Sequence, residues 1–308
     1  MQLKAIIEEN LSGQRLDRAA SSTWLDYSRT SIKKWIDEGR VLLNGEVAKP
    51  KDKVFSGDEI SMQPGILREE SWDPQDIPLN IIAQEQHFIV INKPSNLVVH
   101  PGAGISSGTL ANALAFHFDE LTALPRNGIV HRLDKDTSGI MVIARTPKFH
   151  KSIIAQLHDR EVFKSYQAIV YGEVKASRNF NGDIGRDPKN RIKMKITEHG
   201  REAYTSIFPN LTKKGCSLID VHIATGRTHQ IRVHLSEGGL PIVGDQLYKP
   251  RSLNPNLFSP SVLEITSKFN RQALHAQQLK FLDPDGKNID LAADAPDDFL
   301  NLQEQLFL

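Results

Sequence analysis

The sequence contains a single cysteine, Cys216, among 308 residues. One thiol excludes an internal disulfide framework and any cysteine-built metal cluster. Long apolar runs are also missing, because charged residues interrupt every hydrophobic stretch before it reaches bilayer-crossing length. The opening residues, MQLKAIIEEN, carry an apolar pair but neither a signal-peptide core nor a small-residue cleavage site. Bulk charge is nearly absent too, with Lys+Arg 38 against Asp+Glu 37. HExxH and GxSxG are not found, and His131, His229, His234 and His275 show no metal-ligand spacing. Hydrolase and metalloenzyme readings therefore lack support, no metal site is expected, and a cytoplasmic protein is the simplest reading.

What remains is ordinary globular composition, 39% hydrophobic and 24% charged, with length for one large domain and one small one. The near-zero net charge averages opposed regions. Bases gather at Arg15, Arg18, Arg29, Lys33, Lys34 and Arg40, and again over residues 186–195. Acids gather near the C-terminus, at Asp283, Asp285, Asp290, Asp294, Asp297 and Asp298. Such asymmetry permits nucleic-acid binding that the total charge conceals.

Residues 12–61 read as two helices followed by short strands. Leu16, Ala19, Ala20 and Trp24 fall at helical spacing, and Ser28 suits an N-cap before a helix bearing Ile32, Trp35 and Ile36. Gly39 stops that helix, and Asn44-Gly45 is a tight hairpin signal. Residues 62–78, with three prolines and no periodicity, read as a linker. Strands are then expected at 81–82, 88–91, 164–171 and 218–223, and helices from about Thr109 and over 150–157. The alternation in residues 191–196 predicts a strand with Arg191, Lys193 and Lys195 on one face. Residues 249–270 read as a surface loop, and a last strand is expected over 279–282. The glycine-rich residues 102–108 lack a Walker lysine and dinucleotide spacing, so a nucleotide site there is disfavoured.

The centre of the chain is residues 128–139, GIVHRLDKDTSG, in which His131, Arg132, Asp134 and Asp136 lie between two glycines, entered by the apolar pair Ile129-Val130 and left by the apolar run over 140–144. This stretch resembles the active-site signature of the RluA branch of the RNA pseudouridine synthases. Further segments resemble the same family in order: Asn92-Lys93-Pro94, Lys164-Ser165-Tyr166, residues 225–232 (TGRTHQIR) and Leu274-His275-Ala276. Tyr27-Ser28-Arg29, Leu43-Asn44-Gly45 and Gly57-Asp58-Glu59-Ile60 resemble the S4 RNA-binding domain.

The resemblance implies an α+β fold. A mixed, largely antiparallel sheet flanked by helices forms a central RNA cleft, preceded by a small α/β S4-like domain. The expected division is 1–61, a linker over 62–78, and a catalytic domain over 79–308. It implies that uridine is isomerised to pseudouridine with no cofactor, since neither redox chemistry nor net hydrolysis is involved. Asp134 becomes the essential carboxylate, as nucleophile or as proton acceptor. Tyr166 becomes the stacking and proton-transfer group, and Arg227 the arginine favouring an ionised Asp134, with Arg232 a less favoured substitute. Asp136 shapes the loop. Arg132, His131 and Leu274 are expected to bind substrate. Arg15, Arg29, Lys33, Lys34, Arg40, Arg191, Lys193 and Lys195 are expected to bind RNA.

Within the family, the nearest resemblance implies loop uridines of helix 69 of 23S ribosomal RNA, free or in a large-subunit assembly intermediate. Unpaired bases suit a mechanism that extrudes its target. Transfer RNA is the alternative substrate, and a non-catalytic ribosome-assembly factor the alternative role. A monomer without membrane attachment is expected.

Overall fold

A computed structural model describes residues 2–24, 27, 29–64, 72–102, 104–213, 215–250 and 258–308. The expected N-cap Ser28 lies outside these residues. The chain divides into two units, Met1–Glu70 and Ser71–Leu308.

The first unit pairs a four-stranded sheet with two helices. Strands β1 (Leu3–Ile6), β2 (Val41–Leu43), β3 (Glu46–Val47) and β4 (Glu59–Met62) pair in the order β1-β4-β2-β3. Helix α1 (Leu16–Thr23) buries Leu16, Ala19 and Ala20, and α2 (Arg29–Asp37) buries Ile32, Trp35 and Ile36. Both sets follow the helical period and close one small core with Val41, Ile60 and Met62. Asn44 and Gly45 both adopt positive φ, 51° and 82°, which matches the twist of the β2–β3 hairpin.

The second unit is built on one sheet. Its strands in chain order are β5 (Ile81–Gln84), β6 (Phe88–Lys93), β7 (Ser138–Ala144), β8 (Phe163–Tyr171), β9 (Arg178–Asn181), β10 (Ile184–Arg186), β11 (Met194–Ile196), β12 (Tyr204–Lys213), β13 (Cys216–Ile223), β14 (Leu274–Leu282) and β15 (Asn288–Ala292). The main sheet runs β5-β6-β7-β14-β8-β13-β12-β9, with β15 also on β14 and β10–β11 apart as a hairpin. Every pairing is antiparallel except β7 with β14. Helices α3 (Leu110–His117), α4 (Pro147–His158), α5 (Gln230–Glu237), α6 (Pro260–Lys268) and α7 (Asp297–Phe307) complete this α+β unit. All seven residues of β7 are buried, so its near-continuous apolar run belongs to a strand covered on both faces. The parallel β7–β14 pair has a functional consequence: it sets the end of the central signature beside Leu274, well over a hundred residues later.

Several expectations are corrected. Met62 is the fully buried end of β4, not linker. Residues 72–78 are docked on the second unit: Trp72 and Ile77 pack on its core, and Asn112 Nδ2 donates to the Asp73 carbonyl at 2.9 Å. Gln63 N–H continues the edge of the first unit by donating to the Arg40 carbonyl at 2.9 Å, and residues 65–71 of the expected linker lie outside the described residues. The 249–270 loop contains α6, capped by Ser259, and the acidic C-terminal residues 297 and 298 open α7 rather than trailing as a tail. The basic strand over 191–196 is shortened to Met194–Ile196. Ile192 N–H turns onto Asn190 Oδ1, and Arg191 lies in that turn, so the three bases do not share a strand face.

Candidate active site

Two glycines fix where the signature loop begins and ends. Gly128 has φ +73°, and a Cβ there would lie 2.0 Å from the Ala144 carbonyl oxygen. Gly139 has φ +122°, and its Cβ would lie 2.1 Å from the Ala276 carbonyl oxygen. Both positions combine a backbone region closed to side chains with contact against another strand.

Between them the loop is held almost residue by residue. His131 Nε2 accepts a bond from Val142 N–H at 3.0 Å, so its proton sits on Nδ1. Burial, with Lys164 nearby, pushes its pKa down to about 3. The fully buried Lys93 donates through Nζ to the carbonyls of Pro94, Leu97 and Lys135 at 2.7, 2.9 and 3.1 Å. Burial lowers its pKa to about 7. Arg271 Nη1 reaches the Asp136 carbonyl at 3.3 Å, while its other nitrogens grip Asp298 of α7 at 2.7 and 2.8 Å. Gln272 donates to Thr137 Oγ1 at 3.0 Å. The Ser138 hydroxyl donates to His275 Nδ1 at 3.0 Å, and His275 Nε2 donates to the Ala293 carbonyl. A loop tied at this many points is a rigid mount for the side chain at its apex.

That side chain is Asp134. Its Oδ2 accepts from Arg232 Nη1 at 2.9 Å, and His229 Nε2 stands 3.9 Å away. Its Oδ1 has no hydrogen-bond partner among the described residues, and Asp134 itself lines a cavity together with Arg132, Tyr166, Arg227 and Leu274. Arg232 is 8% exposed and continues to Asp245, through Nε to Oδ2 at 2.7 Å and Nη2 to Oδ1 at 2.9 Å. Burial opposes its charge, but the two carboxylates more than offset that and raise its pKa. Burial would likewise raise Asp245, yet its bonds from Arg232 and from the backbone N–H groups of Tyr248 and Leu247 bring it below the usual carboxylate range. The Tyr248 ring lies under the guanidinium at 5.1 Å. Its hydroxyl accepts from Met194 N–H and contacts His229 Nδ1 at 2.8 Å. One planar fork thus spans two carboxylates, a geometry open to arginine and not to lysine.

The expectation that Arg227 pairs with Asp134 is therefore overturned. Arg227 precedes α5 and donates its Nε to the Glu202 carbonyl at 3.1 Å, on the rim of the cavity. Arg232 lies in the first turns of α5, where the helix aims it inward. His131 is also reassigned, from substrate contact to a brace that holds the loop on β7. Tyr166 and Leu274 line the cavity as expected, and Arg132 is exposed at its mouth. Burial, then the charge of Asp134, raises the Tyr166 pKa, so the phenol keeps its proton at neutral pH. Sequence reasoning missed Asp245, Tyr248, His229 and Lys93. The last was visible as Asn92-Lys93-Pro94, but no spacing rule connects Asp245 to Arg232.

In the first unit, Arg15 and Arg29 both bind Asp17, a carboxylate 2% exposed, at 3.0 and 2.8 Å. Both side chains remain half exposed, but they are anchored rather than free. Arg40 pairs with Glu38 at 2.9 Å, Lys34 lies 3.8 Å from the same acid, and Lys33 is exposed. In the second unit, Lys193 Nζ sits 5.8 Å from the Tyr248 ring, and Lys195 lies on β11 opposite Gly185.

An aspartate presented on a braced loop, beside a buried tyrosine and an arginine, at the end of a mixed sheet, is the architecture of a class of RNA-modifying isomerases. The profile of a family described as RNA pseudouridylate synthase matches residues 87–237, and that of the S4 domain matches residues 14–60. The chain belongs to the RluA family of RNA pseudouridine synthases. It is 40% identical over 306 residues to ribosomal large subunit pseudouridine synthase D of Escherichia coli (strain K12), covering 99% of this chain and 94% of that protein. The protein of the same name from Xanthomonas campestris is 39% identical over 304 residues, covering 98% and 92%. Among solved structures, human RNA pseudouridylate synthase domain containing 4 superposes with TM-score 0.59 at 26% identity, over 74% of this chain and 92% of that one. The human domain-containing-1 protein, at 24% identity and TM-score 0.58, covers 80% and 91% and shares the fold.

Proposed function

We propose that this enzyme isomerises loop uridines of helix 69 of 23S ribosomal RNA in the cytoplasm, with Asp134 as the reacting carboxylate. The observation that carries the catalytic part is the asymmetry of Asp134. One oxygen is fixed by Arg232, the other is left without a bond among the described residues, and the residue lines the cavity. Relatives named for the large ribosomal subunit, aligned over nearly the whole chain, support the target.

The reaction breaks the C1′–N1 bond, turns the base, and joins C1′ to C5. The C5 proton is lost and N1 gains one. Asp134 Oδ1 either bonds to C1′ as N1 departs or removes a sugar proton. Both roles require a carboxylate that cannot rotate away, which the Arg232–Asp245 relay supplies. Tyr166 offers its ring to the detached base and its hydroxyl for proton transfer, including of the proton that leaves C5. Leu274 closes the apolar wall. Arg132, long, planar and exposed, is suited to fill the space the extruded uridine leaves. The S4 unit contributes backbone affinity, chiefly through Lys33 and Lys34.

Mapping pseudouridines in total RNA from cells with and without the gene, complemented by wild type or Asp134→Asn, tests this. Loss of sites in 23S RNA that wild type restores and Asp134→Asn does not is the expected result. Restoration by Asp134→Asn refutes the catalytic assignment. Loss confined to transfer RNA refutes the target.

A further inference from the structure

Lys164 differs from every other buried cation described above. It lies on β8 and is 7% exposed, yet among the described residues its Nζ has no carboxylate, carbonyl or hydroxyl partner. Buried Lys93 uses three carbonyls, and buried Arg232 uses two carboxylates. The ammonium itself is not sealed from solvent, so it is an uncommitted cation available to a ligand that enters the space it borders. Burial, with Arg227 adding to it, depresses its pKa to about 8, so it is still mostly charged at neutral pH.

Its surroundings indicate what that use is. Lys164 lines a cavity of about 430 Å³ together with Arg126, Arg132, His100, His131 and Tyr166, and no acidic residue is among the lining. His100 Nδ1 is buried there without a partner, and burial and the charges of Arg132 and Arg126 push its pKa down to about 4. Arg126 is held at φ 53°. The cavity shares Arg132, Tyr166, Ile223 and Gly226 with the one facing Asp134, so it adjoins the reaction site across the tyrosine. Lys164 and Tyr166 are two apart on one strand and so share a face, about 7 Å apart along it. That separation is on the scale of one nucleotide.

We propose that this cavity is a phosphate subsite, in which Lys164 binds a backbone phosphodiester of the RNA strand beside the uridine that Tyr166 receives. Arg126 and Arg132 complete the cationic wall. The proposal rests on the reading of Asp134 and Tyr166 as the reaction site. Lys164 is then a substrate-binding residue whose partner arrives only with the RNA. The unpaired charge in the free protein is the corollary.

The test uses the full chain and a uridine-loop RNA hairpin synthesised with a single neutral methylphosphonate at each backbone position in turn. Binding is read whether or not the hairpin is converted, so failure of the Asp134 assignment or of the helix 69 target leaves this readout intact. Wild type is expected to lose roughly tenfold in affinity at one position near the target uridine, the effect of one charge-assisted contact. Lys164→Met is expected to bind the all-phosphate hairpin about tenfold more weakly. It should lose the sensitivity at that position and lower the salt slope by about one ion. Lys164→Arg should keep the sensitivity. A second readout needs no RNA: Lys164→Met should melt no lower than wild type, because no hydrogen bond or ion pair among the described residues is lost, whereas a structural lysine would give a lower melting temperature. A wild-type profile with no phosphate whose effect Lys164→Met abolishes, or a Lys164→Met variant less stable than wild type, overturns the proposal.

Discussion

Exchanging the two arginines at residues 227 and 232 gives a direct test of how Asp134 is held. Arg232→Met removes three charge-assisted bonds at once, two to Asp245 and one to Asp134. It strands Asp245, whose side chain is 1% exposed. Removing one partner of a buried pair costs about 3–5 kcal/mol, enough to threaten folding, so Arg232→Lys is the informative variant. An ammonium keeps the charge but cannot place parallel donors on Asp245 while also reaching Asp134 Oδ2. The bond expected to fail is the one to Asp134, worth about 1.5–3 kcal/mol. If that whole term is felt in the transition state, the rate falls by roughly 10- to 150-fold. Release of tritium from [5-³H]uridine-labelled RNA, measured in single turnover with enzyme saturating, reads that step apart from binding. Arg227→Lys and Arg227→Met are expected to leave the saturated rate within about threefold, a shift of under 1 kcal/mol, and to weaken RNA binding instead. The argument is refuted if the Arg227 variants slow the saturated step more than Arg232→Lys does. In that case RNA would bring Arg227 to Asp134, and the free-state contact would not be the catalytic one.

One further prediction concerns the backbone and two concern charge. Gly139→Ala forces the β7–β14 pair apart and should cost well over 1 kcal/mol in thermal unfolding. Gly226→Ala, whose Cβ meets nothing within 4 Å, should stay within about 0.5 kcal/mol; equal effects would contradict the close approach at Gly139. The pH dependence has the same sign in the two units, because folding lowers both pKa values: stability rises with pH, over an acid interval for Asp17 and an alkaline one for Lys164. Although burial opposes it, the Arg15 and Arg29 bonds hold the Asp17 pKa below its ordinary 3.8. The stability Asp17 adds is therefore present above that value and lost as acid protonates it, and Asp17→Asn should erase the difference from wild type only at low pH. Lys164 titrates near 8 when folded against 10.5 unfolded, so its penalty is complete below 8 and disappears as pH rises toward 10.5. Chemical denaturation across pH should show the stability of Lys164→Met relative to wild type falling over that interval.

The local parts were legible in the order of residues. Periodicity placed α1, α2 and the β8 strand, because burial of one face repeats at 3.6 or 2 residues whatever the partner is. Gly128 and Gly139 were visible as the limits of the loop, and Lys164-Ser165-Tyr166 and residues 225–232 were visible as motifs. The α6 and α7 helices were obscured by polar and acidic surroundings. Their few apolar residues acquire meaning only from the surface they pack on, as Phe299 and Leu302 do in the core. Residues 72–78 looked like linker for the same reason.

Tertiary structure alone decided which groups meet. Asp134 and Arg232 are 98 residues apart, and Arg232 and Asp245 are 13 apart. Their contact depends on the direction in which α5 leaves β13 and on the parallel pairing of β7 with β14, neither of which is written in local spacing. Arg227 and Arg232 are chemically identical in the sequence. One sits before the helix and turns to the rim; the other sits inside it and turns to the core, and that difference in orientation assigns the carboxylate its partner.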